Sequence, residues 1–325
     1  MPRPDAYVPL AETSRSGRPE SIHFGAVVAL NRDGGIAFIA GDPHVTIYPR
    51  SSNKPMQASV MVQLGLCLPP ELLALVCGSH DGTPMHLDIA RRILATVSLD
   101  ESVLRNTPDL PLDEASADEV IRSGGWRTSL QQNCSGKHGA MIATCAINGW
   151  PLDSYLNPDH PLQDAITVGL PDMIGEPVAH VGVDGCGAPA HMMSLLGLAR
   201  AFRVMATSDD DAPRQVYAAM TRHPETVGGA RRDVTALMQH VPGLMAKDGA
   251  DGVFAVALAD GRAVALKVAD GANRARPPAM VHALRALDVD VDAVAPIVRQ
   301  RILGHGHEVG EVTAIAEYVV AATDG

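Results

Sequence analysis

Two Asp-Gly dipeptides, each set between apolar runs, constrain this chain more than any other feature. Asp33-Gly34 separates residues 23–30 from 35–40, and Asp260-Gly261 separates 252–259 from 262–268. Asp-Gly readily adopts the left-handed backbone of a tight turn, so each site predicts an antiparallel hairpin. A further apolar run over 311–320 predicts a last strand. Between the hairpins the apolar residues recur at helical spacing: 72–75, 85–97, 141–147, 191–206 and 231–239 read as helices. Two more, 278–287 and 291–303, lie between the late hairpin and the last strand. Strands at both chain ends around a helical middle predict an α+β fold with one antiparallel sheet joining the termini. Residues 1–20, polar and rich in Pro and Arg, read as a loosely ordered lead-in, and 21–325 as a single domain.

The 325 residues are 46% hydrophobic but only 3% aromatic, so a sizeable core must be built from Ala, Val, Leu, Ile and Met. A formal net charge of -11 argues against nucleic acid or an anionic membrane as the main partner. No apolar run is long enough to cross a bilayer. The start, Met1-Pro2-Arg3-Pro4, lacks the apolar segment of a secretory leader. Five scattered cysteines are unlike a secreted disulfide framework, and a reducing cytoplasm is expected.

The sharpest local signal is Arg50-Ser51-Ser52-Asn53-Lys54-Pro55, after which Met56, Val60 and Leu64 recur at helical spacing. Pro55 is tolerated only in the first turn of a helix, which therefore begins near Ser52. Ser51 then sits at the helix start with Lys54 one turn later on the same face. An amine so placed can activate the hydroxyl as a nucleophile, and the helix dipole favours negative charge there. The plainer reading is a serine cap followed by a solvated lysine. Cys77-Gly78-Ser79-His80-Asp81-Gly82 lies between two helices, and Thr83-Pro84 opens the second as cap and first residue. Ser79 in that loop can relay a proton or simply make a turn. Lys267, alone in the apolar run 264–268, either sits on an exposed strand face or faces a helix-borne Ser-x-x-Lys, the layout of penicillin-binding proteins and serine β-lactamases. Neither their Ser-Asp-Asn nor their Lys-Thr-Gly triplet is present.

Asn133-Cys134-Ser135-Gly136-Lys137-His138 precedes another helix, but Gln131 and His138 replace the residues a phosphate-binding loop requires. A second cysteine loop, Val183-Asp184-Gly185-Cys186-Gly187-Ala188-Pro189, also reads as preceding a helix. Cys134 and Cys186 are open to three readings: buried small residues, a reactive thiol beside His138, or thiolate ligands of a metal. Cys67, Cys77 and Cys145 have apolar neighbours and read as structural.

Taken in order, these motifs resemble the rhizobial-type L-asparaginases, together with His223-Pro-Glu-Thr-Val-Gly-Gly, Lys247-Asp-Gly and the Lys267 strand. The resemblance runs from about His23 to the C-terminus. It implies a serine-β-lactamase-like fold, a homodimer, and hydrolysis of L-asparagine to L-aspartate and ammonia. On the matching positions it implies Ser51, Lys54, Ser79 and Lys267 as two catalytic Ser–Lys pairs. Cys134, Lys137 and Cys186 match zinc ligands, the metal having a positional role. Arg50 is then a candidate for the substrate carboxylate, Asp184 for its ammonium, and His138 lies beside them. Two rivals remain: a zinc-dependent amidohydrolase of another small amide such as glutamine, in which Ser51 is only a cap, and a non-catalytic binding protein.

Overall fold

Both Asp-Gly hairpins form. Gly34 and Gly261 turn with φ of 92° and 94°, which a side chain would resist. The structure, a computed structural model, describes residues 3–316 and the backbone of 320–321. Its strands are β1 (Val8–Arg15), β2 (Arg18–Leu30), β3 (Ile36–Ala40), β4 (Thr46–Ile47), β5 (His180–Val183), β6 (Pro189–Ser194), β7 (Leu244–Gly249), β8 (Val253–Leu258), β9 (Ala263–Val268), β10 (Gln300–Gly304), β11 (His307–Ala314) and β12 (Val320–Ala321). Its helices are α1 (Lys54–Gln63), α2 (Pro70–Val76), α3 (Pro84–Ala95), α4 (Glu114–Arg122), α5 (Ser135–Asn148), α6 (Pro161–Ile174), α7 (Leu195–Thr207), α8 (Asp211–Arg222), α9 (Pro224–Val227), α10 (Asp233–His240) and α11 (Arg276–Ala286).

The expected α+β architecture is present. One antiparallel sheet runs β10-β11-β1-β2-β9-β8-β7, with β3 on β2 and β12 on β3, so strands from both chain ends are neighbours. The long β2 makes this possible. Its first half pairs with β1, its second half with β3 on one edge and β9 on the other. Side chains alternate between sheet faces, yet β8 is buried at every position. Burial on both faces follows from helix α7 packing over β2, β8 and β9, and α11 over β1, β8, β9 and β11. A second sheet of order β4-β6-β5 lies beside the helices. Among the described residues no helix is long and apolar enough to cross a membrane.

Three expectations need correction. The lead-in is not loose from Val8 onward: Leu10, Ala11 and Thr13 are buried as β1 pairs with β2 and β11. Residues 291–303 are not helical; turns lead into β10, and Pro296, lacking an N–H, could not sit inside a helix. Residues 191–194 belong to β6, and the Ser194 hydroxyl accepts a bond from Gly197 N to cap α7. The last expected strand stops at Ala314 as β11, and 317–319 lie outside the described residues. Helices α4, α6, α8 and α9 were not expected.

Candidate active site

Three elements meet around Lys54. The first is a 3-10 turn, Arg50–Asn53, that runs directly into α1, so the helix start falls one residue pair later than the proline suggested. Arg50 itself holds a left-handed φ of 52°, uncommon for a long side chain and a mark of local constraint. The second is the loop 77–82 after α2. The third is β7, the edge strand of the large sheet.

Lys54 is buried. Its amine donates to the Gly78 carbonyl and, at 3.1 Å, to the Ser79 hydroxyl, and among the described residues not to Ser51. Ser51 and Ser79 open together onto a cavity of about 290 Å³, also lined by Asn133, Arg232, Asp248 and Arg276. Thus Ser51, Lys54 and Ser79 are gathered as the sequence suggested, with the amine resting on the second serine. Contacts to a nucleophile are commonly loose before substrate binds.

Lys267 is not part of this cluster. It lies on β9, separated from β7 by β8, and its amine donates to the Asp251 and Val268 carbonyls at 2.6 Å each. There it closes the β7–β8 turn. The lysine beside the Ser51 turn is Lys247 on β7, wholly buried, whose amine donates to Asp248 at 2.6 Å. The Ser52 hydroxyl donates to the Lys247 carbonyl at 3.1 Å, and a β-carbon on Gly249 would collide with the Pro49 carbonyl. Glycine is therefore required where β7 presses against the nucleophile turn. Lys247-Asp248-Gly249 shares the Lys-x-Gly skeleton of the penicillin-binding triplet, and that signal could have selected Lys247 over Lys267. Burial lowers Lys247 to about 8, with the like charge of Lys54 pushing the same way and Asp248 opposing.

The cysteine loops converge on the far side of Lys54. Lys137 Nζ lies 3.3 Å from Cys186 Sγ, and the free thiols of Cys134 and Cys186 hydrogen-bond each other. That bond and the Lys54 and Lys137 amines hold Cys134 well below the ordinary thiol value despite burial. The same bond, with burial, pushes Cys186 up. Burial alone would lower Lys137, but Cys186, Cys134 and Asp184 outweigh it and raise it. Two sulfurs and an amine so placed suit a tetrahedral zinc: Zn–S of about 2.3 Å and Zn–N of about 2.1 Å imply an N–S separation of about 3.6 Å. Among the described residues, no group of three or more His, Cys, Asp or Glu gathers to hold a metal, so any such site needs the lysine.

Arg50 and Asp184 are paired with each other at 2.8 Å, and Arg50 also reaches Asp251 at 2.7 Å. Burial would raise Asp184, but Lys137 and Arg50 hold it below the usual carboxylate value. With Lys54, Lys137 and His191 they surround a void of about 10 Å³, not the cavity that Ser51 lines. Binding a substrate carboxylate at Arg50 would require it to leave a present partner. His138 is buried, with Nδ1 2.9 Å from the Tyr155 hydroxyl, and burial with nearby Lys137 keeps it neutral. His80, also buried and neutral, accepts from Gly82 N at Nδ1 and so donates from Nε2 to the Ser135 hydroxyl at 2.9 Å. It ties the Ser79 loop to the Cys134 loop, a link the sequence reading missed.

Residues 11–314 match the family described as L-asparaginase II. No curated protein matches the chain. Among solved structures, Mglu in its native form aligns with 82% of this chain at 12% identity and a TM-score of 0.43, and this chain spans only 63% of its length. A beta-lactamase from Mycobacterium bovis aligns with 81% of this chain and 94% of its own, at 14% identity and a TM-score of 0.39.

Proposed function

This chain belongs to the L-asparaginase II family, a family of amidohydrolases, and on that premise we propose that it hydrolyses L-asparagine to L-aspartate and ammonia through an ester on Ser51. The observation carrying this reading is that Ser51 and Ser79 share one cavity while Lys54 bonds Ser79 from behind. Ser51 Oγ attacks the side-chain carboxamide carbon, and Lys54 takes its proton, directly or through Ser79. The protonated amine then supplies the proton with which ammonia leaves. Water hydrolyses the β-aspartyl ester, and the proton it gives up returns through the same serine and lysine. Burial and the like charge of Lys54 lower Lys247, so Lys247 gives up its proton more readily than an isolated lysine and leaves no second ammonium beside Lys54. In this reading Lys247 takes the second-lysine role first expected of Lys267.

Zinc, which the family resemblance implies, would be held by Cys134 Sγ, Cys186 Sγ and Lys137 Nζ. When bound it supplies a fixed positive charge beside the site. The thiols and amine would lose protons to bind it, and Asp184 with Arg50 would hold the Cys186 loop in place. A cytoplasmic homodimer belongs to the same proposal, and light scattering on the purified protein checks the dimer.

The decisive experiment is ammonia release from a panel of small amides, with mass spectrometry of the quenched protein. An aspartyl adduct on Ser51 supports the reading. Turnover that survives Ser51→Ala but vanishes on metal removal would favour the zinc-dependent rival.

A further inference from the structure

The cavity that Ser51 lines is also lined by cations. Arg232 and Arg276 both reach it, with Asp248 between them. Their exposures differ in a way that matters. The Arg276 side chain is 7% exposed and is used internally, donating to the Gly249 and Val253 carbonyls at 2.9 and 3.3 Å. Lys247 is sealed, and Asp248 is 8% exposed. Arg232 is 26% exposed and is the accessible cation of that lining. Its guanidinium donates to Asp248 at 2.9 Å and, more weakly, to Asp81 at 3.3 Å. A guanidinium has further N–H donors beyond those two bonds, in a planar fork that fits a carboxylate.

We propose that Arg232 binds the α-carboxylate of the substrate, and that the enzyme therefore requires a free carboxylate beyond the scissile amide. The proposal rests on the asparaginase reading and specifies how that site selects its substrate. Asp248 is the fixed partner that orients Arg232. It accepts from Lys247, Arg232 and Arg276 at 2.6, 2.9 and 3.5 Å, so it stays anionic and stationary. Asp81 is the replaceable partner: its bond is the longer one, and burial raises its carboxyl above the usual value. An incoming carboxylate takes the Asp81 side of the fork while Asp248 keeps the other. Arg50, the remaining accessible arginine near the serine, is closed off by Asp184 and Asp251 and lines the other void.

The test compares L-asparagine with its α-methyl ester, which keeps the side-chain amide and loses the carboxylate. Ammonia release gives kcat and KM for wild type, Arg232→Gln, Arg232→Lys and Arg50→Gln, with melting curves to confirm folding. Wild type should prefer asparagine by at least about 100-fold in kcat/KM, because the ester has no carboxylate with which to take the Asp81 side of the Arg232 fork. Arg232→Gln should cut asparagine turnover efficiency mainly through KM and leave the ester nearly unchanged, so the preference collapses. Arg232→Lys, which keeps the charge but not the fork, should fall between, and carries the test if the Gln variant does not fold. Loss of the preference in Arg50→Gln with retention in both Arg232 variants overturns the assignment. Equal losses on both substrates would mean that Arg232 is only structural, and overturn it too. Absence of ammonia from either amide with wild type would instead refute the asparaginase reading, and the anchor with it.

Discussion

Replacing Lys247 by Met tests the lysine that the structure, unlike the sequence reading, sets beside the nucleophile turn. Burial and the Lys54 charge bring the Lys247 amine from an ordinary 10.5 to about 8. That difference corresponds to about 3 kcal/mol of disfavour for the charged form. At pH 7 roughly one amine in ten is then neutral, against roughly one in 3,000 for an unperturbed lysine. With Lys247 neutral, no second ammonium stands beside Lys54 as Lys54 takes up the serine proton, so log kcat/KM should rise with pH to a plateau near 8, with a slope near one below it. The sign is fixed: protonating Lys247 puts a like charge beside Lys54, so activity is lost as pH falls. Lys247→Met keeps the stem volume, and Asp248 retains Arg232 and Arg276 as partners. Turnover should drop by about 100- to 10,000-fold with little change in melting temperature. Because Asp248 raises Lys247, Asp248→Asn should move the rising limb to lower pH. Stopped ammonia assays from about pH 6 to 9 provide the measurement. A flat profile, or a Lys247→Met enzyme with wild-type turnover, would refute the paired-lysine argument.

Ser51→Ala and Lys54→Met should each remove nearly all ammonia release from L-asparagine while circular dichroism stays unchanged; retained turnover in Ser51→Ala defeats the nucleophile assignment. L-asparagine should be preferred over L-glutamine, because an added methylene displaces the amide from Ser51 once the carboxylate is anchored, and equal kcat/KM values would remove that preference. Elemental analysis should find up to one zinc per chain, lost in the Cys134→Ala/Cys186→Ala double variant; its absence after zinc supplementation removes the metal. Stripping zinc should raise KM more than it lowers kcat, since the serine and lysines supply nucleophile and base without it.

The hairpins were legible because an Asp-Gly turn announces itself locally, and α3 because Thr83 and Pro84 mark its start: Thr83 and His86 form a reciprocal cap there. Strand β1 was hidden because Pro9, Glu12 and Arg15 interrupt its apolar residues, and a register shift between Pro9 and Ala11 breaks the alternation. Such a strand is recognised by its partners, β2 and β11, which lie far apart in sequence. The run 291–303 misled in the opposite sense, its spacing being helical while Pro296 forbids the helix. At the site, the residues inside sharp motifs were legible: Ser51, Lys54, Ser79, Cys134, Lys137 and Cys186 do converge. Which of two strand lysines lies beside the serine turn had one local signal, the Lys-x-Gly skeleton at Lys247, and sheet order supplies the reason: β7, not β9, abuts that turn. Arg232 carried no motif signal because its relevance comes from exposure and partners, both products of folding.

Lys54 explains why the two chemistries of the site adjoin. On one side it holds Ser79 in the cavity of Ser51; on the other it stabilises the Cys134 thiolate, through both charge and a hydrogen bond. A single buried amine thus sees the nucleophile's proton and the thiol pair at once. Occupation of the thiol site by a cation would change the charge that Lys54 meets from that side without touching the substrate. The His80 bond to Ser135 fixes the distance over which that influence acts, because it joins the loop carrying Ser79 to the helix start carrying Cys134. The metal question and the base question are consequently one electrostatic problem centred on Lys54, and variants on the two sides should not be additive.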